Sequence, residues 1–404
     1  MGKLHIHALN FWPQTGETPM GYALTEEQTL FQDSVRRFAQ DKLAPGAVAR
    51  AQQSAYPWDV AAMMAEQGLM GIMIPEEHGG LGGTLTDAVI AIEQVALACP
   101  RSADVIQAGN FGAIWTFAAN ASPVQRERYF SDLINGKALI SVAMTEPDAG
   151  SAVTDLKTAA TPDGEGFRLN GQKCFTTNSP EATLFLVYCR FGPGTGGIGS
   201  VIVERGMDGF SLGAPHKFMN GEEWQPLFFD NVYIPPENVL LGEGGFKRQI
   251  SGFNVERLGN TTRSLTLGRV AFEIARQHAI DRQQFGRPLC EFQGLQWKFA
   301  DMLVQLEAAR LLLWRAIESV ESGGLSAQDT AIAKLHCNKT GFDCCNEAMQ
   351  IMGGAGYSDD SLVEFCFRKT RAWMIAGGSV EIMKNRIAEG IFDRRFSQRP
   401  PKSA

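Results

Sequence analysis

Residues 367–391 read FRKTRAWMIAGGSVEIMKNRIAEGI and predict two helices that are joined by a glycine turn. The first helix ends before Gly377 and Gly378, and an apolar period resumes at Val380 and Ile382. Glycine gives the main chain the freedom that a sharp turn needs, and Ser379 can cap the helix that follows. The stretch therefore predicts a helical part of the chain that is interrupted by a turn whose two glycines have no side chains, which we call the bare turn.

The helical pattern extends backwards from this turn to about residue 247. Within it, residues 294–320 repeat apolar side chains at spacings of three, four and seven, as one face of a helix does: Leu295, Phe299, Met302, Leu306 and Leu313. Before it, short apolar or alternating segments are separated by Gly, Pro and Asn, which is typical of strands. Still earlier, residues 25–43 begin with Thr25 and Gln28 at capping-box spacing and again predict a helix. The order is therefore helical, β, helical.

These changes of pattern predict an α+β chain of several domains. A length of 404 residues also favours two or three domains over one. We expect the following segments: a leader or extension at 1–22, an N-terminal helical domain at 23–140, a middle β domain at 141–246, a C-terminal helical domain at 247–395 and a flexible tail at 396–404.

Composition excludes several classes of function. The net charge of −7 does not favour binding to nucleic acid or to an anionic membrane. No apolar run is long enough to span a bilayer. The eight cysteines form no Cys-x-x-Cys pair and lie mostly in apolar segments, so we expect reduced, buried thiols, a cytoplasmic location and no metal site.

Four loops carry residues suited to binding a flat or phosphorylated ligand. They are AMTEPDAGSAVTD (143–155), CFTTN (174–178), DRQQFGRPLCEFQGLQWKFAD (281–301) and QIMGGAGYSDD (350–360). Small residues let a main chain approach a ligand closely, and a guanidinium such as that of Arg282 suits a diphosphate. Each loop alone also fits a bland interpretation: a Pro-Gly loop, a strand end, a charged turn or a glycine helix stop.

Together and in this order, the four loops resemble those of the acyl-CoA dehydrogenase family. The resemblance runs from LTEEQ at residue 24 to about residue 394, and it also includes PEEHGGLGG (75–83) and IAGGSVEIM (375–383). It implies an N-terminal helical domain, a middle β-barrel or sandwich domain and a C-terminal four-helix bundle. It further implies FAD, an acyl-CoA substrate, an electron-transfer flavoprotein as electron acceptor and a homotetramer built as a dimer of dimers.

The resemblance also implies site residues by position. Those near the flavin and the thioester would be Thr145, Ser151, Phe175, Thr177, Ser379 and Glu381. Those that hold the diphosphate or the adenosine, across a subunit interface, would be Arg282, Phe285, Gln293, Gln350, Gly353 and Gly354. Those beside the substrate would be Ser151, Phe253, Arg257, Gly377 and Gly378. The chain departs from many family members at Ala152, where they have Asp.

The largest departure concerns the catalytic base. Many family members have a Glu at the position of Gly377, and glycine cannot take a proton. A branch that includes isovaleryl-CoA dehydrogenases instead places the base in a Glu-Arg-Leu context, which Glu256, Arg257 and Leu258 match. We therefore expect Glu256 to be the base that removes the Cα proton. Glu381, one helical turn beyond Gly377, is the second candidate.

The resemblance implies dehydrogenation of an acyl-CoA thioester to a 2-enoyl-CoA. Because the turn has no side chain, we expect an acyl group that is branched, cyclic, aryl-substituted or of succinyl type. A sulfinopropionyl-CoA desulfinase is an alternative, although that branch lacks a carboxylate at the position of Glu256. An enoyl-CoA reductase, an acyl-CoA oxidase and a non-catalytic flavin scaffold also remain as alternatives.

Overall fold

The computed structural model describes residues 23–324 and 326–399. The expected leader at 1–22 and residues 400–404 of the expected tail lie outside the described residues. The helical, β, helical order is confirmed.

Helices dominate the first part of the chain. They are α1 (Glu26–Phe38), α2 (Ala47–Ala51), α3 (Trp58–Glu66), α4 (Leu85–Ala98), α5 (Ala103–Asn110), α6 (Ala113–Asn120) and α7 (Pro123–Ile134). The predicted capping box is present, since Thr25 Oγ1 accepts from the Gln28 main chain while Gln28 Oε1 accepts from Thr25 N. Val35 and its neighbours Phe31 and Phe38 face the core, as the apolar period predicts.

Strands follow in the middle part. They are β1 (Ile140–Ala143), β2 (Ala159–Asp163), β3 (Gly166–Lys173), β4 (Leu184–Arg190), β5 (Ile198–Glu204), β6 (Phe210–Leu212), β7 (His216–Lys217), β8 (Glu223–Trp224), β9 (Leu227–Ile234) and β10 (Val239–Leu241). Eight of them form one mixed sheet in the order β10-β5-β4-β2-β3-β9-β6, with β1 parallel to β4. Strands β4 and β5 are buried along almost their whole length, because helices cover one face and the sheet's own apolar core covers the other.

Long helices form the last part. They are α8 (Phe246–Asp281), α9 (Gln293–Glu321), α10 (Ala327–Met352), α11 (Gly354–Tyr357), α12 (Leu362–Trp373) and α13 (Val380–Ile391). A short hairpin of β11 (Gln283–Gln284) and β12 (Arg287–Pro288) joins α8 to α9. The helices α8, α9, α10 and α12 pack against one another as the predicted bundle. Met302, Leu306 and Leu313 are buried on α9, as the spacing predicts.

The helices α8 and α10 run side by side in the same direction. A Cβ at Gly341 would touch Ser264, and one at Gly268 would touch Gly341, so the two helices meet through small residues. As a result, the carboxyl ends of α8 and α10 and the start of α9 lie at the same end of the bundle.

A buried ion cluster ties the three parts of the chain together. Asp104 of α5 binds Arg101 at 2.6 Å and Lys369 of α12 at 2.7 Å, and it also binds Arg263 of α8. Glu222, which precedes β8, binds the same Arg101 and Lys369 at 2.8 and 2.6 Å. All five side chains are buried. Three cations meet two carboxylates, so the cluster carries one surplus positive charge.

Among the residues that the structure describes, no helix is long and apolar enough to cross a membrane. All eight cysteines lie in this part of the chain as free thiols, and seven of them are buried.

Candidate active site

Glu256 lies near the start of α8, on the side that faces the N-terminal helices. Its Oε2 accepts a hydrogen bond from Gln107 Nε2 of α5 at 2.9 Å, and its Oε1 accepts one from Asn260 Nδ2 at 2.8 Å. Gly112 allows the close approach, because a Cβ there would lie 2.9 Å from Oε2 and the backbone has a φ of +64°. The carboxylate is therefore fixed by contacts from two domains.

The environment of Glu256 raises its pKa above the usual value for Glu. Burial is the largest cause, because the charged form loses its hydration. Arg263, the two hydrogen bonds and Lys334 act in the opposite direction and moderate the shift. A carboxylate whose pKa is raised is a better proton acceptor than one with the usual pKa, which suits a general base.

The glycine turn meets Glu256 at Asn260. Gly377 and Gly378 have φ values of +69° and +98°, which residues with side chains rarely adopt. A Cβ built on Gly377 would lie 3.7 Å from Asn260 Nδ2, the same atom that binds Glu256. A side chain on residue 377 and the carboxylate of Glu256 would therefore both lie next to the amide of Asn260.

Two cations border the glycine turn, the half-buried Arg257 and the buried Lys334. Arg257 donates from Nε to the Gly377 carbonyl at 3.0 Å and from Nη1 to Asn254 Oδ1 at 3.0 Å. Lys334 of α10 donates to the Trp373 carbonyl at 2.8 Å, and its Cε lies 3.6 Å from the Cβ position of residue 377. Burial lowers the pKa of Arg257 to about 10 and that of Lys334 to about 7, and the mutual repulsion of the two adds to the effect on Lys334.

Trp373 ends α12, just before the glycine turn. The side chain is buried, and Arg263 and Lys369 lie over its ring at 4.6 and 5.7 Å. Trp373 therefore links the ion cluster to the glycine turn, while its carbonyl accepts hydrogen bonds from Lys334 and Asn338.

The first two predicted loops lie side by side at one edge of the sheet. Cys174 N donates to the Thr145 carbonyl at 2.9 Å, and Ser141 Oγ donates to the Thr177 carbonyl at 3.0 Å. Beneath them, the buried Lys173 donates to Glu146 Oε1 at 2.7 Å and to the Met144 carbonyl at 3.1 Å. Thr145 is half-buried, and Ser151 and Thr177 are exposed.

Phe175 stands out from this edge with a φ of +56° and is 56% exposed. Its ring lies 4.6 Å from that of Trp224 and 6.3 Å from that of Phe218. The three rings form an apolar shelf that one exposed Phe alone would not provide.

The loops predicted to hold a diphosphate lie at the end of the helical bundle that is far from Glu256. Arg282 follows α8 directly, Phe285 is 94% exposed at the tip of the short hairpin, and Gln293 begins α9. Gln350, Gly353 and Gly354 end α10 at the same end, and nothing lies within 4 Å of a Cβ placed on either glycine. At 1.5 Å per residue, Arg282 is roughly 40 Å from Glu256 along α8. The predicted residues thus form two groups that are far apart in one chain.

The remaining predicted residues flank the glycine turn. Phe253 is half-buried on α8, with its ring 6.4 Å from that of the buried Tyr188. Ser379 caps α13 as predicted, since its side chain accepts from Ile382 N. Glu381 is exposed in the first turn of α13, and main-chain and Ser379 hydrogen bonds lower its pKa. In this chain Glu381 therefore lacks the burial that would make it a strong base.

Sequence reasoning missed four residues of the site: Gln107, Gly112, Asn260 and Lys334. A signal existed for Asn260 only, because it is four residues after Glu256 and so lies on the same helical face. The others come from different helices, and nothing in their local sequence indicates that they meet.

Comparison with known proteins gives matches along nearly the whole described chain. Residues 25–137, 141–232 and 243–392 match the profiles of the acyl-CoA dehydrogenase N-terminal, middle and C-terminal domains, respectively. The chain is 33% identical to a 3-sulfinopropanoyl-CoA desulfinase from Paraburkholderia xenovorans, over 94% of this chain and 99% of the relative. It is 32% identical to a short-chain-specific acyl-CoA dehydrogenase from Clostridium acetobutylicum, over 92% and 100%.

The fold also matches solved structures. Butyryl-CoA dehydrogenase from Megasphaera elsdenii superposes with a TM-score of 0.86 at 29% identity, covering 92% of this chain and all of that one.

Proposed function

Since the chain belongs to the acyl-CoA dehydrogenase family, whose members are FAD-dependent flavoenzymes, we propose that it dehydrogenates an acyl-CoA thioester to the 2-enoyl-CoA with Glu256 as its base. The observation that carries the proposal is the meeting of Glu256 and Gly377 at Asn260. A carboxylate that is absent from the turn is present on α8, within reach of the same space.

The residues of the chain would have the following roles in the reaction. Glu256 takes the Cα proton of the thioester, and Gln107 and Asn260 hold the carboxylate so that no reorientation is needed during the transfer. Arg257 fixes the main chain of the turn through the Gly377 carbonyl. FAD supplies the acceptor for the hydride that leaves Cβ.

The residues at the edge of the sheet fit the ring system of FAD. Phe175, Trp224 and Phe218 offer an apolar shelf, and the exposed Thr177 offers a hydroxyl beside it. Thr145, Ser151, Ser379 and Glu381 remain proposed neighbours of the flavin and the thioester arm. These are the group types that a flat heterocycle with polar edges requires.

The group at the other end of the bundle fits a diphosphate. Among the described residues, the guanidinium of Arg282 has no ion-pair partner, and Gly353 and Gly354 leave their surroundings open. Because this group is roughly 40 Å from Glu256 along α8, one chain cannot offer both groups to one FAD. The separation supports a homotetramer in which one subunit's Arg282, Phe285, Gln293 and Gln350 complete the FAD site of another.

The family supports an electron-transfer flavoprotein as the electron acceptor. The free cysteines support a cytoplasmic location. The bare turn at Gly377 supports an acyl group that carries a substituent near Cβ. A desulfinase is the second candidate, because a relative with 33% identity is named as one.

The test compares Glu256→Gln with Glu381→Gln in the FAD-loaded enzyme. Glutamine keeps the shape of the side chain and removes the base, so Glu256→Gln should slow flavin reduction by an acyl-CoA by about 10²- to 10⁴-fold while acyl-CoA still binds. The matched variant Glu381→Gln should lose much less. Anaerobic bleaching of the flavin measures both rates. If Glu381→Gln were the more damaged of the two, the base would be assigned wrongly.

A further inference from the structure

The space that a side chain on residue 377 would fill is bordered by hydrogen-bond donors. We call this space the Gly377 recess and define it by Gly377, Asn260, Lys334 and Arg257. The Cβ position of residue 377 is 3.6 Å from Lys334 Cε and 3.7 Å from Asn260 Nδ2, which are ordinary contact distances. A carbon atom at the Cβ position would therefore make only ordinary contacts with the walls of the recess.

The recess contains more positive charge than the protein compensates locally. The hydrogen-bond acceptors of Lys334 and Arg257 are neutral: the carbonyls of Trp373 and Gly377, and the amide of Asn254. Among the described residues, neither cation has a carboxylate within ion-pair distance. Glu256 is the nearby carboxylate on α8, and Arg263 and Asn260 already connect it to an ion cluster that has a surplus cation of its own.

Burying a cation without an anionic partner is unfavourable, because the lost hydration is not replaced. Lys334 is 1% exposed, and its ammonium has three donors, of which the Trp373 carbonyl uses one. An anionic group in the recess would meet this ammonium and the Asn260 amide together. The recess also adjoins the base, since Asn260 Nδ2 is bonded to Glu256 Oε1.

From this arrangement we infer that the Gly377 recess is a subsite for an oxyanion carried on Cβ of the acyl group, with Lys334 as its recognition group. The substrate class is then a CoA thioester with a carboxylate or a sulfinate on Cβ. The inference rests on the proposed function, because it takes Glu256 as the group that marks the position of Cα. Lys334 would bind the charged group of the acyl chain, while Glu256 would accept the proton from Cα.

A simpler role for Lys334 makes a different prediction. The carboxyl end of α12 carries partial negative charge, and a buried lysine that donates to the Trp373 carbonyl could do no more than cap that helix. A cap stabilises the fold equally for every substrate. A recognition group instead changes the preference among substrates.

The test uses three acyl-CoAs of equal length that differ only at the last group: succinyl-CoA, 3-sulfinopropanoyl-CoA and butyryl-CoA. We expect the FAD-loaded wild type to bind both anionic thioesters more tightly than butyryl-CoA, as measured by perturbation of the flavin spectrum in the non-reacting Glu256→Gln variant. Reduction of the wild-type flavin by one of the anionic thioesters, or release of sulfite from 3-sulfinopropanoyl-CoA without net flavin reduction, identifies the source of the oxyanion.

The matched variant is Lys334→Met, which keeps the stem and removes the charge. A hydrogen bond between charged groups accounts for about a 10- to 100-fold change, so the ratio of anionic to butyryl binding should fall by that factor. A fall that is equal for all three thioesters would leave only the capping role and overturn the inference.

The pH dependence of thioester binding by the wild type provides a test that needs no folded Lys334 variant. The groups that face Lys334 are Arg257 and Glu256 of α8, and its own pKa is near 7. The preference for an anionic thioester should therefore decline above about pH 7 in the free enzyme, and a preference that is flat between pH 6 and 9 would overturn the inference. Failure of the proposed function would look different: no acyl-CoA would bleach the flavin, while the binding ratios would still report on the recess.

Discussion

Replacement of Asn260 by Leu should move the pH dependence of flavin reduction to higher pH. The Asn260 amide donates to Glu256 Oε1 at 2.8 Å, and a hydrogen bond to a carboxylate favours the ionised form. Leu has a similar volume but cannot donate. The pKa of Glu256, which burial already raises, should therefore rise further.

The size of the shift follows from the strength of the lost contact. A hydrogen bond to a charged group contributes about 1.5–3 kcal/mol, and one pKa unit corresponds to about 1.36 kcal/mol, so the pKa should rise by about one to two units. The base must be ionised to accept the proton. The rate should consequently fall at low pH and recover at high pH.

The assay is anaerobic stopped-flow reduction of the bound flavin by a saturating acyl-CoA between pH 5.5 and 9.5. Asn338→Leu is the matched control, because Asn338 is also a buried Asn but donates to the Trp373 carbonyl rather than to Glu256. Both variants should lose stability, but only Asn260→Leu should move the acid limb. An acid limb that stays in place, or that moves equally in both variants, would refute the idea that Asn260 tunes Glu256.

Two further predictions concern FAD. Lys173→Met should destabilise the protein by about 3–5 kcal/mol, because it leaves the buried Glu146 without its partner, and it should weaken FAD binding through the loop at 144–146. Denaturant unfolding and FAD titration measure these two effects, and an unchanged free energy of unfolding would contradict the role of the pair. Arg282→Met should weaken FAD binding, but the flavin that does bind should still be reduced at a nearly normal rate, since Arg282 is far from Glu256. Arg276→Met, near the same end of α8, is the control, and an equal loss of FAD affinity in both variants would argue against a specific contact of Arg282.

Local sequence patterns predicted the parts of the fold that depend on neighbouring residues. The helix that begins at Gln293, the capping residues Thr25 and Ser379 and the glycine turn at 377–378 each follow from interactions within a few residues. The helical pattern that extends back to about residue 247 is consistent with the start of α8 at Phe246, ten residues before Glu256. These features needed no knowledge of the tertiary structure.

The contacts that give the site its electrostatics were not predictable in the same way. Gln107 reaches Glu256 from a different domain, 149 positions away in the chain. Lys334 on α10 is an ordinary lysine in the sequence, and only the packing of α10 against α8 makes it buried and brings its pKa to about 7. The ring of Trp373 packs beneath Arg263 and Lys369 of the ion cluster, and nothing in its local sequence indicates these contacts. Such features depend on which helices meet, and local patterns do not encode that.

The ion cluster has a consequence for the evolution of this chain. Its members come from three segments, with Arg101 and Asp104 before the strands, Glu222 between β7 and β8, and Arg263 and Lys369 after the strands. A recombination event that exchanged only the middle segment for one without an acidic residue at position 222 would leave the three buried cations of the cluster with Asp104 as its one carboxylate. Segments from different ancestors can therefore combine in a stable chain only if their buried charges still balance. The ion cluster thereby restricts which exchanges of segments are tolerated.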